Sequence, residues 1–128
     1  MTKRIKNAAL TGSQPSVRQM KRAIRAVVRL YSEAKARQEF RQKTNSLTVL
    51  DDTFMHDAQI IHTVELYRSM LEPELRKYID NVYLNPPADD TWYLQYESRT
   101  TYYRKLGRAT EEFYSYLTQA PGSLNIMH

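Results

Sequence analysis

Ser98, Arg99, Thr100, Thr101, Tyr103, Arg104 and Arg108 fall within one run of eleven residues, SRTTYYRKLGR, in which no carboxylate interrupts the hydroxyls and guanidinium groups. These side-chain types grip phosphates and base edges. A helix that begins after Ser98 offers free amide N–H groups and a partial positive charge to an anion. Ser98 and Thr101 add hydroxyl donors at that point. Arg99 or Arg104 can hold a guanine through two parallel hydrogen bonds, an interaction worth about 1–3 kcal/mol of base discrimination. Tyr103 can reach a phosphate or pack on a thymine methyl group. Gly107 costs a helix about 1 kcal/mol relative to Ala, and its missing side chain can admit a sugar-phosphate backbone or an adjoining helix.

The element that positions these residues is a helix from Arg99 to about Gln119. Tyr102, Leu106, Ala109, Phe113 and Leu117 recur at helical spacing and form its buried face. Thr100, Tyr103, Arg104, Gly107 and Arg108 fall on the other side, with Arg99 and Thr101 near the tip. Upstream, Asp89 or Asp90 can cap a short helical piece carrying Trp92, Tyr93 and Leu94, and Gln95-Tyr96-Glu97 makes a three-residue turn. A short helix, a turn and a longer helix bearing arginines at its start describe a helix-turn-helix reader of DNA.

Towards the amino terminus, residues 1–14 read as a flexible basic arm. Residues 15–50 read as a long basic amphipathic helix, opened by Ser13 or Gln14 before Pro15, and its connector. Val17, Met20, Ile24, Val27, Tyr31 and Ala34 alternate at spacings of three and four, a seam that fails at Gln38 and Arg41. The seam suits packing on the domain or on a second copy, so a homodimer through Val17–Ala34 is one expectation. Arg18, Lys21, Arg22, Arg25 and Arg29 cover the remaining surface and are candidate phosphate contacts or interface residues. Residues 51–119 read as a helical DNA-binding domain and 120–128 as a tail. Within that domain Asp51 or Asp52 caps a helix at about 53–70 with the stripe Phe54, Ala58, Ile61 and Val64. Glu72 and Pro73 open a third helix with the stripe Leu75, Tyr78, Ile79 and Val82, stopped by Asn85-Pro86-Pro87. No strand pattern and no internal repeat is present. The predicted fold is all-α: a small helical bundle with a C-terminal helix-turn-helix and a long basic N-terminal helix.

The totals agree with a polyanion as partner. The net charge of +5 divides unevenly. Residues 1–43 hold twelve Lys/Arg against Glu33 and Glu39, net +10, whereas residues 44–128 hold seven against twelve Asp/Glu, net −5. With no Cys among 128 residues, disulfides and thiolate metal sites are excluded. No apolar run approaches the roughly 20 residues of a membrane span, so the expected location is cytoplasmic with no membrane contact.

SRTTYYRKLGRA, following LEPELRKYIDNVYL, resembles the C-terminal half of the ArpU/RinA-like family of phage and prophage transcriptional regulators. The likeness covers about residues 66–118. In that family a sigma-factor-region-4-like helix precedes a Ser-x-x-Thr-Tyr-Tyr-Arg recognition helix with an Ala about five positions on. Those positions are Ser98, Thr101, Tyr102, Tyr103, Arg104 and Ala109 here. The resemblance implies a sequence-specific activator of late phage genes (packaging, structure, lysis) acting on double-stranded DNA in a bacterial host. Carried over from the motif (Ser98, Thr101, Tyr103, Arg104) or inferred from the residue types beside it (Arg99, Thr100, Arg108), these residues are the expected DNA-binding set.

Other chemistry is not indicated. His56 and His62 are six residues apart and HExxH is absent, so no metal or other cofactor is expected. Without a nucleophile motif or a Gly-rich phosphate loop, the chain is not expected to be an enzyme. Asp57, Glu65, Glu72, Glu74 and Asp80 can face host RNA polymerase or simply solvent. Two further readings are a helical interaction module that oligomerises through the first helix and binds an acidic partner, and a single-strand binder that stacks bases on Tyr93 and Tyr96.

Overall fold

The computed structural model describes residues 15–44 and 52–119. The arm 1–14 with Ser13 and Gln14, the connector with its Asp51, and the tail 120–128 lie outside the described residues. The described chain is a small all-α bundle.

Helix α1 spans Val17–Lys43. It opens two residues later than Gln14 because Ser16 and Gln19 form a reciprocal cap. The Gln19 N–H donates to Ser16 Oγ at 3.1 Å, and the Ser16 N–H donates to Gln19 Oε1 at 2.8 Å. Pro15 therefore precedes the cap and is not part of the first turn. The expected seam is buried at Met20, Ile24, Val27 and Ala34, half-buried at Tyr31 and exposed at Val17. Val28 joins it. Most of this seam packs within the chain, so a homodimer through Val17–Ala34 would have only Val17 and part of Tyr31 to use without opening the core.

Helix α2, Asp52–Met70, antiparallel neighbour of α1 in sequence order, buries a different stripe from the one expected. Asp57, Ile60, Ile61 and Val64 are buried, whereas Phe54 and Ala58 are only half-buried. The buried set is the i, i+3, i+4, i+7 face. Its first position is a carboxylate, which periodicity of apolar residues cannot register.

Helix α3, Pro73–Ile79, begins with Glu72 at the cap position and Pro73 in the first turn. It then widens over Asp80–Leu84, where the Asn85 N–H donates to the Asp80 carbonyl five residues back at 2.7 Å. Tyr83 rather than Val82 supplies the buried side chain there. After the prolines, Asp89 accepts from the Thr91 N–H and hydroxyl at 2.9 and 2.7 Å and so holds the turn into a 3-10 helix, Trp92–Gln95. Helix α4 spans Arg99–Gln119, the bounds its spacing predicts.

A single apolar cluster joins all four α-helices. Ile24 and Val27 of α1, Ile60 and Val64 of α2, Leu75 and Ile79 of α3, and Ala109 and Phe113 of α4 belong to it. Thr110 is fully buried in its midst, and its hydroxyl pairs with the Tyr83 hydroxyl at 2.8 Å, so no lone polar atom remains at that position. The consequence for function is positional. The buried face of α4 (Tyr102, Leu106, Ala109, Thr110, Phe113, Leu117) is fixed by the core, and its opposite face is thereby fixed outward.

Candidate nucleic-acid interface

The start of α4 is set by hydroxyls. Ser98 Oγ accepts the Thr101 N–H at 3.1 Å and donates to Thr101 Oγ1 at 3.0 Å. This cap satisfies the third amide of the helix and leaves the two before it facing outward. Ser98 is exposed and Thr101 half-buried. The Ser98 hydroxyl has thus used its proton within the cap, whereas the Thr101 hydroxyl accepts there and keeps its own proton to donate.

Under this tip lies an aromatic base. The rings of Tyr93 and Tyr102 stack at 3.6 Å with an 8° tilt. Trp92 stands edge-on to Tyr102 at 5.8 Å, and Tyr78 packs on it from α3 at the same separation. Burial pushes the Tyr102 phenol up to about 12, so it is neutral at any physiological pH. The Tyr78 hydroxyl donates to the Glu97 carboxylate, and burial, followed by that hydrogen bond, raises the Tyr78 pKa well above its ordinary value. Glu97 also lies 3.6 Å from Lys105 Nζ. The turn that precedes α4 is therefore pinned by stacking and by one carboxylate, without a glycine.

On the outward face, Arg99, Thr100, Tyr103 and Arg104 are exposed. Arg99 and Arg104 have no carboxylate or hydrogen-bond partner among the described residues. Their neighbours differ. Lys105 donates to Glu74 at 2.5 Å, and Arg108 lies 3.5 Å from Glu72 and 3.8 Å from Glu112. The hydrogen bond to Glu74 is the main reason the Lys105 ammonium titrates above its ordinary value, and the same bond holds Glu74 below the usual carboxylate range. The acid-free look of SRTTYYRKLGR is thus a property of the linear run only. In three dimensions α3 supplies carboxylates to its Lys105 and Arg108 side, while the Arg99 and Arg104 side stays cationic. Arg108 would have to exchange Glu72 and Glu112 for a phosphate.

A Cβ built on Gly107 meets nothing within 4 Å. Among the described residues no adjoining helix crosses there, so none of the four helices is the close neighbour that this glycine was expected to admit.

On α1, Arg18, Lys21, Arg22, Arg25 and Arg29 fall within about 100° of arc at 3.6 residues per turn and line one shallow trough with Ala26. The stripe points away from the buried seam. The Arg25 guanidinium lies 5.6 Å from the Tyr83 ring centroid, which ties the stripe to the turn that also contacts α4 through Thr110. None of the five pairs with a carboxylate among the described residues.

The acids expected to face a polymerase are each occupied within the chain. Asp57, 1% exposed, accepts two hydrogen bonds from Arg37 at 2.9 and 2.8 Å and one from Arg41 at 3.2 Å. Asp80 accepts two from Arg68 at 2.6 and 2.7 Å. Glu65 accepts from the Tyr31 hydroxyl at 2.9 Å. With Glu72 and Glu74 drawn to α4, these residues knit helices together, while Glu65, Glu72 and Glu74 stay exposed to solvent. Tyr93, expected as a stacking platform, is buried under Tyr102; Tyr96 is 73% exposed.

No family model, curated protein or solved structure matches the chain. Among the described residues no cluster of His, Asp and Glu could hold a metal ion, and no helix is long and apolar enough to cross a membrane. The geometry of α4 and of the α1 stripe is therefore what a functional reading has to rest on.

Proposed function

We propose that the chain is a sequence-specific DNA-binding transcriptional regulator whose α4 enters the major groove, an activator of late phage or prophage genes in the cytoplasm of a bacterial host. The observation that carries this reading is the pair of unpartnered, exposed guanidinium groups, Arg99 and Arg104, on the outward face of a helix whose other face is held by the core. Guanidinium groups on a rigid helix suit bidentate base contacts, because little entropy is lost on binding. The α1 stripe adds phosphate contacts that position the duplex without reading it. The late-gene role and any contact with RNA polymerase come from the resemblance of SRTTYYRKLGRA alone.

Footprinting over the promoters of the genome that encodes the chain identifies the operator, and a mobility shift then tests the site. Arg104→Ala weakens cognate binding by about 1–3 kcal/mol and relaxes preference at one base pair. An equal loss on cognate and scrambled duplex would reduce Arg104 to a phosphate anchor, and no shift with any duplex would end the reading.

A further inference from the structure

Three large apolar side chains stand exposed around the turn into α4: Leu94 at 47%, Tyr96 at 73% and Tyr103 at 56%. They do not belong to the groove-reading face alone. Tyr96 lies before the helix, where its N–H closes the turn on the Tyr93 carbonyl at 2.9 Å, and the Tyr103 ring stands edge-on to Tyr93 at 6.5 Å. The Tyr103 ring thus abuts a buried ring that is itself clamped against Tyr102, and the backbone of Tyr96 is tied to the same residue. The Tyr103 ring and the backbone that carries Tyr96 are held in place before any ligand arrives, so little backbone ordering is needed on binding.

The charge beside the rings selects the occupant. Arg99 and Arg104 lie in the same stretch of chain without counter-charges among the described residues, and the carboxylate of that stretch, Glu97, is taken by Tyr78 and Lys105. An apolar protein surface closing over this edge would desolvate two guanidinium groups with nothing to pair them. A nucleic acid supplies both an anion and flat apolar faces. An intact duplex, however, presents only sugars, phosphates and base edges outward; a base must leave the stack before its face can meet a ring.

We propose that the Tyr96–Tyr103 edge stacks one or two unpaired bases beside the duplex that α4 reads, so that the preferred ligand is DNA locally opened next to its paired site. This rests on the duplex reading of α4 and names the state of the DNA it selects.

Fluorescence anisotropy with three probes of one sequence tests it: perfect duplex, the same duplex with a three-nucleotide bubble, and the single strand. Stacking of a base on an aromatic side chain predicts a bubble preference of about five- to hundredfold over perfect duplex. Tyr96→Ala brings that ratio close to one while leaving perfect-duplex affinity unchanged, and Tyr96→Phe retains it because the ring is kept. A 2-aminopurine in the bubble is quenched by wild type and by Tyr96→Phe but not by Tyr96→Ala. Equal affinity for bubble and duplex, or a bubble preference that survives Tyr96→Ala, overturns the stacking inference and leaves the duplex reading standing. A dimer in native mass spectrometry that Tyr96→Ala dissolves also overturns it, by assigning the edge to a second copy. Failure of the duplex reading looks different: Arg104→Ala then changes binding to none of the three probes.

Discussion

Arg37 and Arg41 near the end of α1 and Arg99 and Arg104 at the start of α4 are the same residue type on the same kind of surface, four to five residues apart along a helix. Their surroundings are opposite. The first pair closes on a single carboxylate, Asp57, which is 1% exposed. The second pair meets no carboxylate in the described chain. Across α1 itself the same division recurs, because the stripe from Arg18 to Arg29 is unpaired while Lys35, Arg37 and Arg41 are engaged. Cations that pair across helices build the bundle, and those without partners among the described residues are the ones the proposed function assigns to DNA.

The sharpest break in that comparison comes from the paired side. Arg37→Ala with Arg41→Ala leaves Asp57 as a buried carboxylate without a cation, which typically costs 3–5 kcal/mol. Arg37 is 46% exposed and its pairing is screened by solvent, so the expected loss in chemical denaturation is at the lower end, about 3 kcal/mol. Asp57→Asn in that double-variant background recovers part of it. The pH dependence reports the same clamp. Hydrogen bonding from Arg37 is the largest cause holding the Asp57 pKa below its ordinary value. Its contribution to stability is complete above the unfolded value of about 3.9 and disappears as the pH falls from there through the lowered folded value. Asp57→Asn therefore flattens the acid limb of the stability curve below about pH 4. The same losses from Arg99→Ala with Arg104→Ala would erase the distinction; those changes are expected to stay within about 0.5 kcal/mol.

This contrast also explains which parts of the molecule could be read from its sequence. Helix α4 was legible because its buried positions from Tyr102 to Leu117 follow local spacing and, apart from Thr110, are apolar or aromatic. The α1 seam was legible for the same reason, but not its occupant, since nothing in Val17–Ala34 distinguishes a second copy from α2 and α4. Asp57 was not legible. It occupies a core position of α2, and the guanidinium groups that permit this lie 20 and 16 residues earlier on another helix. Glu72 does start α3 and both it and Glu74 are exposed, but their pairing with Arg108 and Lys105 across the α3–α4 contact has no local signal. The exposed ring of Tyr96 and the buried one of Tyr93 could not be told apart, because a 3-10 turn changes which side chains point inward relative to an α-helix. In the candidate site, residue types were legible from local pattern, and pairing was not.

On the unpaired side, the α1 stripe is tested by salt rather than by stability. Replacing Lys21, Arg22 and Arg29 with Gln leaves Arg25 on the Tyr83 ring and alters no contact of the core. If all three touch phosphates, the slope of log affinity against log salt becomes shallower by about 2.7, at about 0.9 per phosphate. The preference for cognate over scrambled duplex stays as it was, because phosphates carry no base identity. A slope that does not change would assign the stripe to something other than DNA and would limit the comparison to α4.

The smallest effect is the most discriminating, because it has opposite signs in two measurements. Gly107 lies on α4 one turn beyond Tyr103 and Arg104, and an added Cβ meets nothing within 4 Å among the described residues. Gly107→Ala should therefore stabilise the fold by about 0.5–1 kcal/mol, the helix-propensity difference with no clash to offset it. If glycine is there for folding, no disadvantage accompanies that gain. If it is there so that the outward face can approach a sugar-phosphate backbone, the methyl group stands in the contact and duplex affinity falls even as the midpoint of unfolding rises. A variant that is both more stable and an equally good binder would place the Gly107 side of α4 away from the DNA. The contact would then be confined to the first turn and a half of the helix, around Arg99, Thr100 and Arg104.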